Sequence, residues 1–438
     1  MAMAKKIRVI NTETIRPSSP TPSDLKTLKL SLMDQFVPAT YTSLVLFYSL
    51  NNNTHTNTEI LQKLKTSLSE TLTHHFFPLA GRIKDNSSIE CNDEGAEFIE
   101  ARINCSLSDI LEKPDTEFLK QLLPAAIESP EAATGNLLLV QANFFDCGGL
   151  ALGVCVSHKI ADAATLTIFI NCWAAMASRS NKVVDSPFFM GASLFPPIDI
   201  SIPNASLELV AQQNCITKRF VFTESKIAAL KAKVASTRVP EPTRVEAVSG
   251  LIWKAVITTV RSKLGVSRKS VLCMAVNLRS RFVPKLPENY AGNCVGSIVP
   301  RLDIASSVID AVELVGKIRK EMEEFGENYV KRLQEGGSLA ICGFTKQFGD
   351  MAMSKDIDFY VCSSWCKYDL YGADFGWGKP IWLCTAITTI RNVAVLVDTR
   401  DGLGIEVWLT LTEEEMALLE SNQELLQFAA LNPSVPLL

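Results

Sequence analysis

Leu150-Ala151-Leu152-Gly153-Val154-Cys155-Val156-Ser157-His158-Lys159-Ile160-Ala161-Asp162 is the stretch on which the reading of this chain turns. Leu150–Val156 is a short apolar run with β-branched content, the pattern of a buried strand. From Ala163 to Ala177 apolar residues fill nearly every helical position, the pattern of a helix packed on several sides. His158 therefore stands where a strand ends, and Asp162 where a helix begins. A strand end is a rigid mount for a reacting side chain, because the sheet behind it fixes the backbone. Two readings fit His158: a histidine satisfied by neighbouring backbone, or a general base near neutral pH. Asp162 either orients the imidazole or caps the following helix. A serine hydrolase is disfavoured, since there is no Gly-x-Ser-x-Gly elbow. Ser157 also points to the opposite face from His158 if the strand continues. Of the three other histidines (His55, His74, His75), the adjacent pair follows a helix and reads as surface or packing.

A chain of 438 residues is long enough for two or three domains with full cores. Hydrophobic content of 47% with 21% charged residues is that of a globular protein. A net charge of −4 without long Lys/Arg runs argues against a nucleic-acid surface, while leaving room for a local basic pocket for a phosphorylated small molecule. The 12 cysteines are scattered singly, and Cys362 and Cys366 have no histidine nearby to complete a zinc site. Such cysteines suit a reducing compartment. The start of the chain has no apolar leader, no apolar stretch reaches membrane-spanning length, and the expected location is the cytoplasm.

Along the chain, Lys6–Asn11, Leu28–Phe36, Ser43–Tyr48 and Leu137–Phe145 read as strands, and Glu59–Leu72 as an amphipathic helix. Ser108–Leu122 reads as partly helical. Between Ser178 and Cys215 the periodicity is lost among Pro and polar residues, which marks a crossover between domains. Beyond it, Lys218–Phe222, Ser270–Leu278, Phe359–Trp365, Thr385–Ile390, Val393–Thr399 and Gly404–Leu409 read as strands. Glu224–Ala235, Thr243–Leu264, Ser306–Tyr329 and Thr412–Gln427 read as helices. The class is mixed α/β, with domains expected at 1–180 and 216–438 around a linker at 181–215.

Tyr371-Gly372-Ala373-Asp374-Phe375-Gly376-Trp377-Gly378-Lys379-Pro380 is the second informative stretch. Its glycines point to a tight loop with an aromatic plug, although a Trp377 indole N–H can also serve a developing oxyanion. Asp374 calls for an arginine partner, for which Arg279 and Arg281 are candidates. Together, His158-Lys-Ile-Ala-Asp162 and Asp374-Phe-Gly-Trp-Gly378 closely resemble the two signatures of the plant BAHD acyltransferases. Lesser matches are Ile15-Arg-Pro-Ser-Ser-Pro-Thr-Pro22, Phe77-Pro-Leu-Ala-Gly-Arg82, Val276-Asn-Leu-Arg-Ser-Arg281 and Tyr290-Ala-Gly-Asn293. The flanks, with Ser363-Ser-Trp-Cys366, look most like the vinorine synthase branch, which also holds alcohol acyltransferases making volatile esters.

The resemblance implies two chloramphenicol-acetyltransferase-like domains of mixed sheet and helix with a channel at their interface, His158 lying within it. It implies an acyl-CoA co-substrate, acetyl-CoA first among donors, a small-molecule alcohol acceptor such as an alkaloid, and no metal or permanent cofactor. His158 is the expected base. Asp162, paired with Arg279 or Arg281, and Asp374 with Gly376 and Gly378 are expected to be architectural, and Trp377 is a candidate oxyanion donor. Phe36, Tyr41 and Lys367 are the candidate substrate-binding residues. Many members carry Gly after the motif aspartate, where this chain has Ala163. A monomeric O-acyltransferase is expected; a volatile-ester enzyme, a thioesterase and a non-catalytic acyl-CoA-binding relative are the rivals.

Overall fold

The computed structural model describes residues 5–50, 56–179, 186–199, 214–265, 267–303, 309–385 and 388–436. His55, most of the expected linker and part of the expected strand 385–390 lie outside these residues. Two mixed sheets, each with its own apolar core, account for most of the fold. The first sheet runs in the order Ile7–Ile15, Ala96–Ile103, Leu138–Phe145, Leu150–Ser157, Tyr41–Tyr48 and Trp382–Thr385. Only Ala96–Ile103 and Leu138–Phe145 pair in parallel.

The central strands of this sheet have no polar face because both faces are covered. Every residue of Tyr41–Tyr48, Leu138–Phe145 and Leu150–Ser157 is buried. On one face lie the helices Asn57–His74 and Ala163–Ser178, joined where the Trp173 indole donates to Ser67 Oγ at 3.0 Å. On the other, the chain around Leu122 comes close to Gly153. A Cβ at position 153 would stand 2.1 Å from the Leu122 carbonyl oxygen, to which Asn143 Nδ2 donates at 3.0 Å. The single glycine in the central run is therefore the place where a second layer of backbone approaches.

The second sheet is ordered Val295–Ile298, Lys269–Asn277, Ile357–Ser364, Val393–Asp398, Ile405–Thr412, Cys215–Phe222 and Ala430–Leu431. Arg301–Leu302 also pairs with Lys269–Asn277. The helices Glu224–Val234, Arg244–Leu264 and Ala311–Ala352 cover this sheet. One exchange crosses the expected domain division: Trp382–Thr385, from the C-terminal half, pairs antiparallel with Leu44–Phe47 of the first sheet. Phe375 and Trp382 belong to the first core, so the Asp374–Gly378 segment stands with the N-terminal unit rather than with 216–438.

Several elements differ from their sequence pattern for local reasons. Leu28–Phe36 is a three-residue strand, Thr27–Lys29, followed by a helix, Leu32–Phe36. Ser31 and Asp34 form a capping box that turns the apolar run into a helix. Thr412–Gln427 is two helices, Glu413–Leu419 and Gln423–Phe428, because Asn422 caps the second. Ser108–Leu122 is likewise broken, into Leu107–Glu112 and Thr116–Lys120, with Pro114 between them. Of the strand expected over Thr385–Ile390, Thr385 belongs to the strand Trp382–Thr385, and residues 386–387 lie outside the described residues. The Ala311–Ala352 helix extends past the expected Tyr329 and changes direction at Gly337, whose φ is 50°.

Gly153→Ala is expected to destabilise the first unit by about 1–3 kcal/mol or more, because the obstruction is backbone that cannot rotate away. Equilibrium urea unfolding checks it, and an unchanged midpoint would contradict the close approach.

Candidate active site

His158 leaves the first sheet held by its backbone: its N–H donates to the Thr40 carbonyl at 2.8 Å, and its carbonyl accepts from Asn293 Nδ2 at 2.7 Å. The residue as a whole keeps some accessible surface, yet Nδ1 is buried without a hydrogen-bond partner among the described residues. Burial lowers the His158 pKa below its ordinary 6.5, against the opposing pull of Asp162, Asn293 and Asp34. The imidazole is therefore neutral at pH 7, the form a proton acceptor needs.

Asp162 is both a helix cap and one half of an ion pair between the two units. Its Oδ1 accepts from Thr165 N at 2.9 Å and from Arg279 Nη2 at 2.9 Å. Its Oδ2 accepts from Arg279 Nη1 at 2.8 Å and from Cys294 N at 3.1 Å. Arg279, 6% exposed, also donates to the carbonyls of Tyr290 and Gly292. Although burial opposes ionisation, Arg279 and two backbone N–H groups hold the Asp162 carboxyl below its ordinary 3.8. Of the two expected arginine partners the structure selects Arg279. Arg281 instead donates to Met322 Sδ at 3.3 Å and lies over the Phe325 ring.

Two further charges surround the strand end. Asp34 is buried, and its carboxylate accepts from Ser31 and Asn293. Lys159, 8% exposed, donates to the Gln35 carbonyl at 2.8 Å, and burial pushes its ammonium down to about 8. Phe36 ends the Leu32–Phe36 helix that carries Asp34 and Gln35, and packs on the second core. Tyr41 is not brought to His158. It faces the same side as Ser157, opposite which it is paired, and its hydroxyl donates to the Asn136 carbonyl at 2.9 Å. Lys367 is exposed in a left-handed turn with φ of 71°, where its N–H donates to Asp398 Oδ2.

The Asp374–Gly378 loop is self-contained. Asp374 Oδ1 accepts from Gly376 N at 2.8 Å and Gly378 N at 2.9 Å, so its partners are the loop's own amides rather than an arginine. Those glycines have φ of 98° and 105°, a region closed to side chains. Phe375 and Trp377 stack with centroids 5.5 Å apart, and Phe375 meets Trp173 edge-on at 5.0 Å. Trp377 also meets Tyr48, which pairs with Leu150, the residue that begins the strand ending at Ser157. A strand of that length puts Trp377 roughly 20 Å from His158. The expected oxyanion role of Trp377 is thereby corrected: the indole plugs the far end of the first core.

A family model for the Transferase family matches residues 5–426. The chain belongs to this family, the BAHD acyltransferases. Akuammiline synthase 1 of Alstonia scholaris is 39% identical over 432 residues, covering 98% of this chain and 99% of that protein. Vinorine synthase of Rauvolfia serpentina is 40% identical over 427 residues, covering 95% and 97%. The crystal structure of a vinorine synthase superposes with a TM-score of 0.85 at 37% identity, covering 98% of this chain and all of that one. The F. graminearum TRI101 structure with coenzyme A and T-2 mycotoxin shares the fold, with a TM-score of 0.73 at 17% identity.

As a BAHD acyltransferase, this chain is an enzyme with the family's two-domain fold. The sequence pattern points to His158 and Asp162 but not to Asp34 and Lys159, which the fold buries beside the same strand end. Asp34 was hidden inside an apolar run read as a strand; the Ser31-x-x-Asp34 spacing of a capping box was the available signal.

Arg279→Met is expected to cost about 3–5 kcal/mol, since it strands the buried Asp162 carboxylate. In the wild type the pair's contribution is complete above the ordinary carboxyl value of 3.8 and fades as pH falls through the lower folded value. Denaturant unfolding at neutral and acidic pH checks both. Trp377→Phe is expected to leave turnover within about twofold, whereas loss of a true oxyanion donor costs about 10²–10³; steady-state kinetics distinguishes them.

Proposed function

We propose that this BAHD acyltransferase moves an acetyl group from acetyl-CoA to a hydroxyl of an alkaloid or another plant specialised metabolite, with His158 as general base. The observation that carries the proposal is a histidine at a strand end, its peptide held from both units, in a buried setting that lowers the imidazole pKa. The names of the relatives support the substrate class: besides those above, they include a stemmadenine O-acetyltransferase of Catharanthus roseus, 38% identical, and a limonoid 1-O-acetyltransferase of Citrus sinensis, 37% identical.

In this reading both substrates meet at His158 in one ternary complex, in the channel that the family resemblance implies between the units. The imidazole takes the acceptor O–H proton as that oxygen bonds to the thioester carbonyl carbon. The tetrahedral adduct collapses, the C–S bond breaks, and the imidazolium returns the proton to the departing thiolate. The products are an ester and free CoA. Side chains near the base give little support to a covalent acyl-enzyme. Ser157 Oγ donates to the Ala132 carbonyl on the other face of the sheet, and burial pushes the Cys294 thiol up to about 12. Cytosolic work as a monomer belongs to the same proposal. All cysteines carry free thiols, and among the described residues no helix is long and apolar enough to cross a membrane.

Thiol release from acetyl-CoA, with and without a panel of alkaloid and terpenoid alcohols, tests the proposal. Acceptor-dependent release is expected, and His158→Ala is expected to lower it about 10²–10⁴-fold with folding retained. Release without acceptor would indicate a thioesterase; acetyl-CoA binding with no release under any acceptor would indicate a non-catalytic relative. For the wild type, kcat/KM is expected to rise with pH and level off, with an inflection below 6.5 because the His158 pKa is lowered. An inflection above 6.5 would count against His158 as the titrating base.

A further inference from the structure

We infer that Asp34, acting through Asn293, is a positioning residue for His158. The inference rests on the reading of His158 as the base. The Asn293 side chain is 2% exposed, and its amide nitrogen spends both N–H bonds at once. One goes to the His158 carbonyl at 2.7 Å, the other to Asp34 Oδ1 at 2.8 Å, while the Asn293 main-chain N–H donates to that same oxygen at 2.8 Å. Asp34 Oδ2 accepts from Ser31 N at 2.8 Å and Ser31 Oγ at 2.6 Å. Burial raises the Asp34 pKa, and three of these four partners are N–H groups that can only donate, so toward them the carboxyl oxygens accept.

This arrangement decides which end of the Asn293 amide faces the catalytic peptide. Turned over, its oxygen would oppose both the Asp34 carboxylate and the His158 carbonyl, three acceptors with no proton among them. The acceptor oxygen Oδ1 of Asp34 thus directs the amide nitrogen to His158. Because the His158 N–H is already fixed to Thr40 in the first sheet, the second contact pins the other side of the same residue. The pin comes from outside the first unit: Asn293 precedes Cys294 of the second core, and the Leu32–Phe36 helix bearing Asp34 packs on that core through Leu32 and Met33. Asp34 also faces the ring electrostatically, together with Asp162, whose charge is paired with Arg279; Lys159 neighbours Asp34 on the other side.

The test is steady-state kinetics of Asn293→Ala and Asp34→Asn, each made in the wild type and in His158→Ala. In the wild type, Asn293→Ala is expected to lower kcat about 10- to 100-fold with the KM for acetyl-CoA within about twofold, the cost of a misplaced reacting group. Asp34→Asn is expected to act in the same direction, to add nothing in the Asn293→Ala background, and to move the acid inflection of kcat/KM lower by removing a negative charge near the imidazole. In His158→Ala, neither change is expected to reduce the residual rate. Equal fold-losses with and without His158, additive losses, or an unchanged kcat in folded variants would overturn the inference and assign the network to architecture alone. Asp34→Asn conserves volume and carries the test if Asn293→Ala does not fold. If His158→Ala retains full activity, the base assignment itself fails, an outcome distinct from any of these.

Discussion

The Asp162–Arg279 pair is the contact through which the two units share one site. A buried ion pair gains stability only when its geometry is good and the remaining donors and acceptors are satisfied, because desolvation of both charges opposes it. Here Nη1 and Nη2 of Arg279 each reach a different carboxylate oxygen, two backbone N–H groups add to the acid, and the Tyr290 and Gly292 carbonyls with Asn277 Oδ1 and Thr165 Oγ1 accept from the rest of the base. Its placement matters as much as its strength. Asp162 caps the helix that follows the His158 turn, and Arg279 gathers the carbonyls of Tyr290 and Gly292. The loop so gathered carries Asn293. The register of one unit against the other is thereby set within a few residues of His158, where an error would be felt most.

The motif around His158 was legible because it is local. Strand, turn and helix follow one another within a single stretch, and the apolar pattern changes period where the structure changes element. What escaped was set by contacts distant in sequence. Arg279 and Arg281 look alike on paper, and only the fold shows one clamped to Asp162 and the other over Phe325. Trp377 carried an N–H suited to an oxyanion, but an indole's use depends on where its loop docks. Tyr41 sits in the right strand on the wrong face, an alternation set by its pairing with Ser157. Asp34 was lost in a different way: a capping box overrode the strand pattern of the apolar residues around it.

The two family signatures divide the labour. One holds a histidine at a fixed strand end. The other is a loop whose aspartate satisfies its own glycine amides and whose aromatic pair fills the first core beneath Tyr48. Both needed glycine or a buried charge at defined places, but for unlike reasons. The loop requires backbone angles forbidden to other residues, while the strand at Gly153 requires room for a second layer of backbone.

The loan of Trp382–Thr385 to the first sheet also sets the order in which the protein can be finished. Thr385 Oγ1 donates to the Ser43 carbonyl across 342 residues of chain. As the polypeptide emerges from a ribosome, the Tyr41–Tyr48 strand is made early, and its outer hydrogen-bonding edge stays unpaired until nearly the whole molecule has been synthesised. Such an edge is a template for pairing with other chains. The newborn N-terminal half is thus a species for chaperones to shield, and a ribosome stalled before Trp382 would release an incomplete sheet rather than a finished domain.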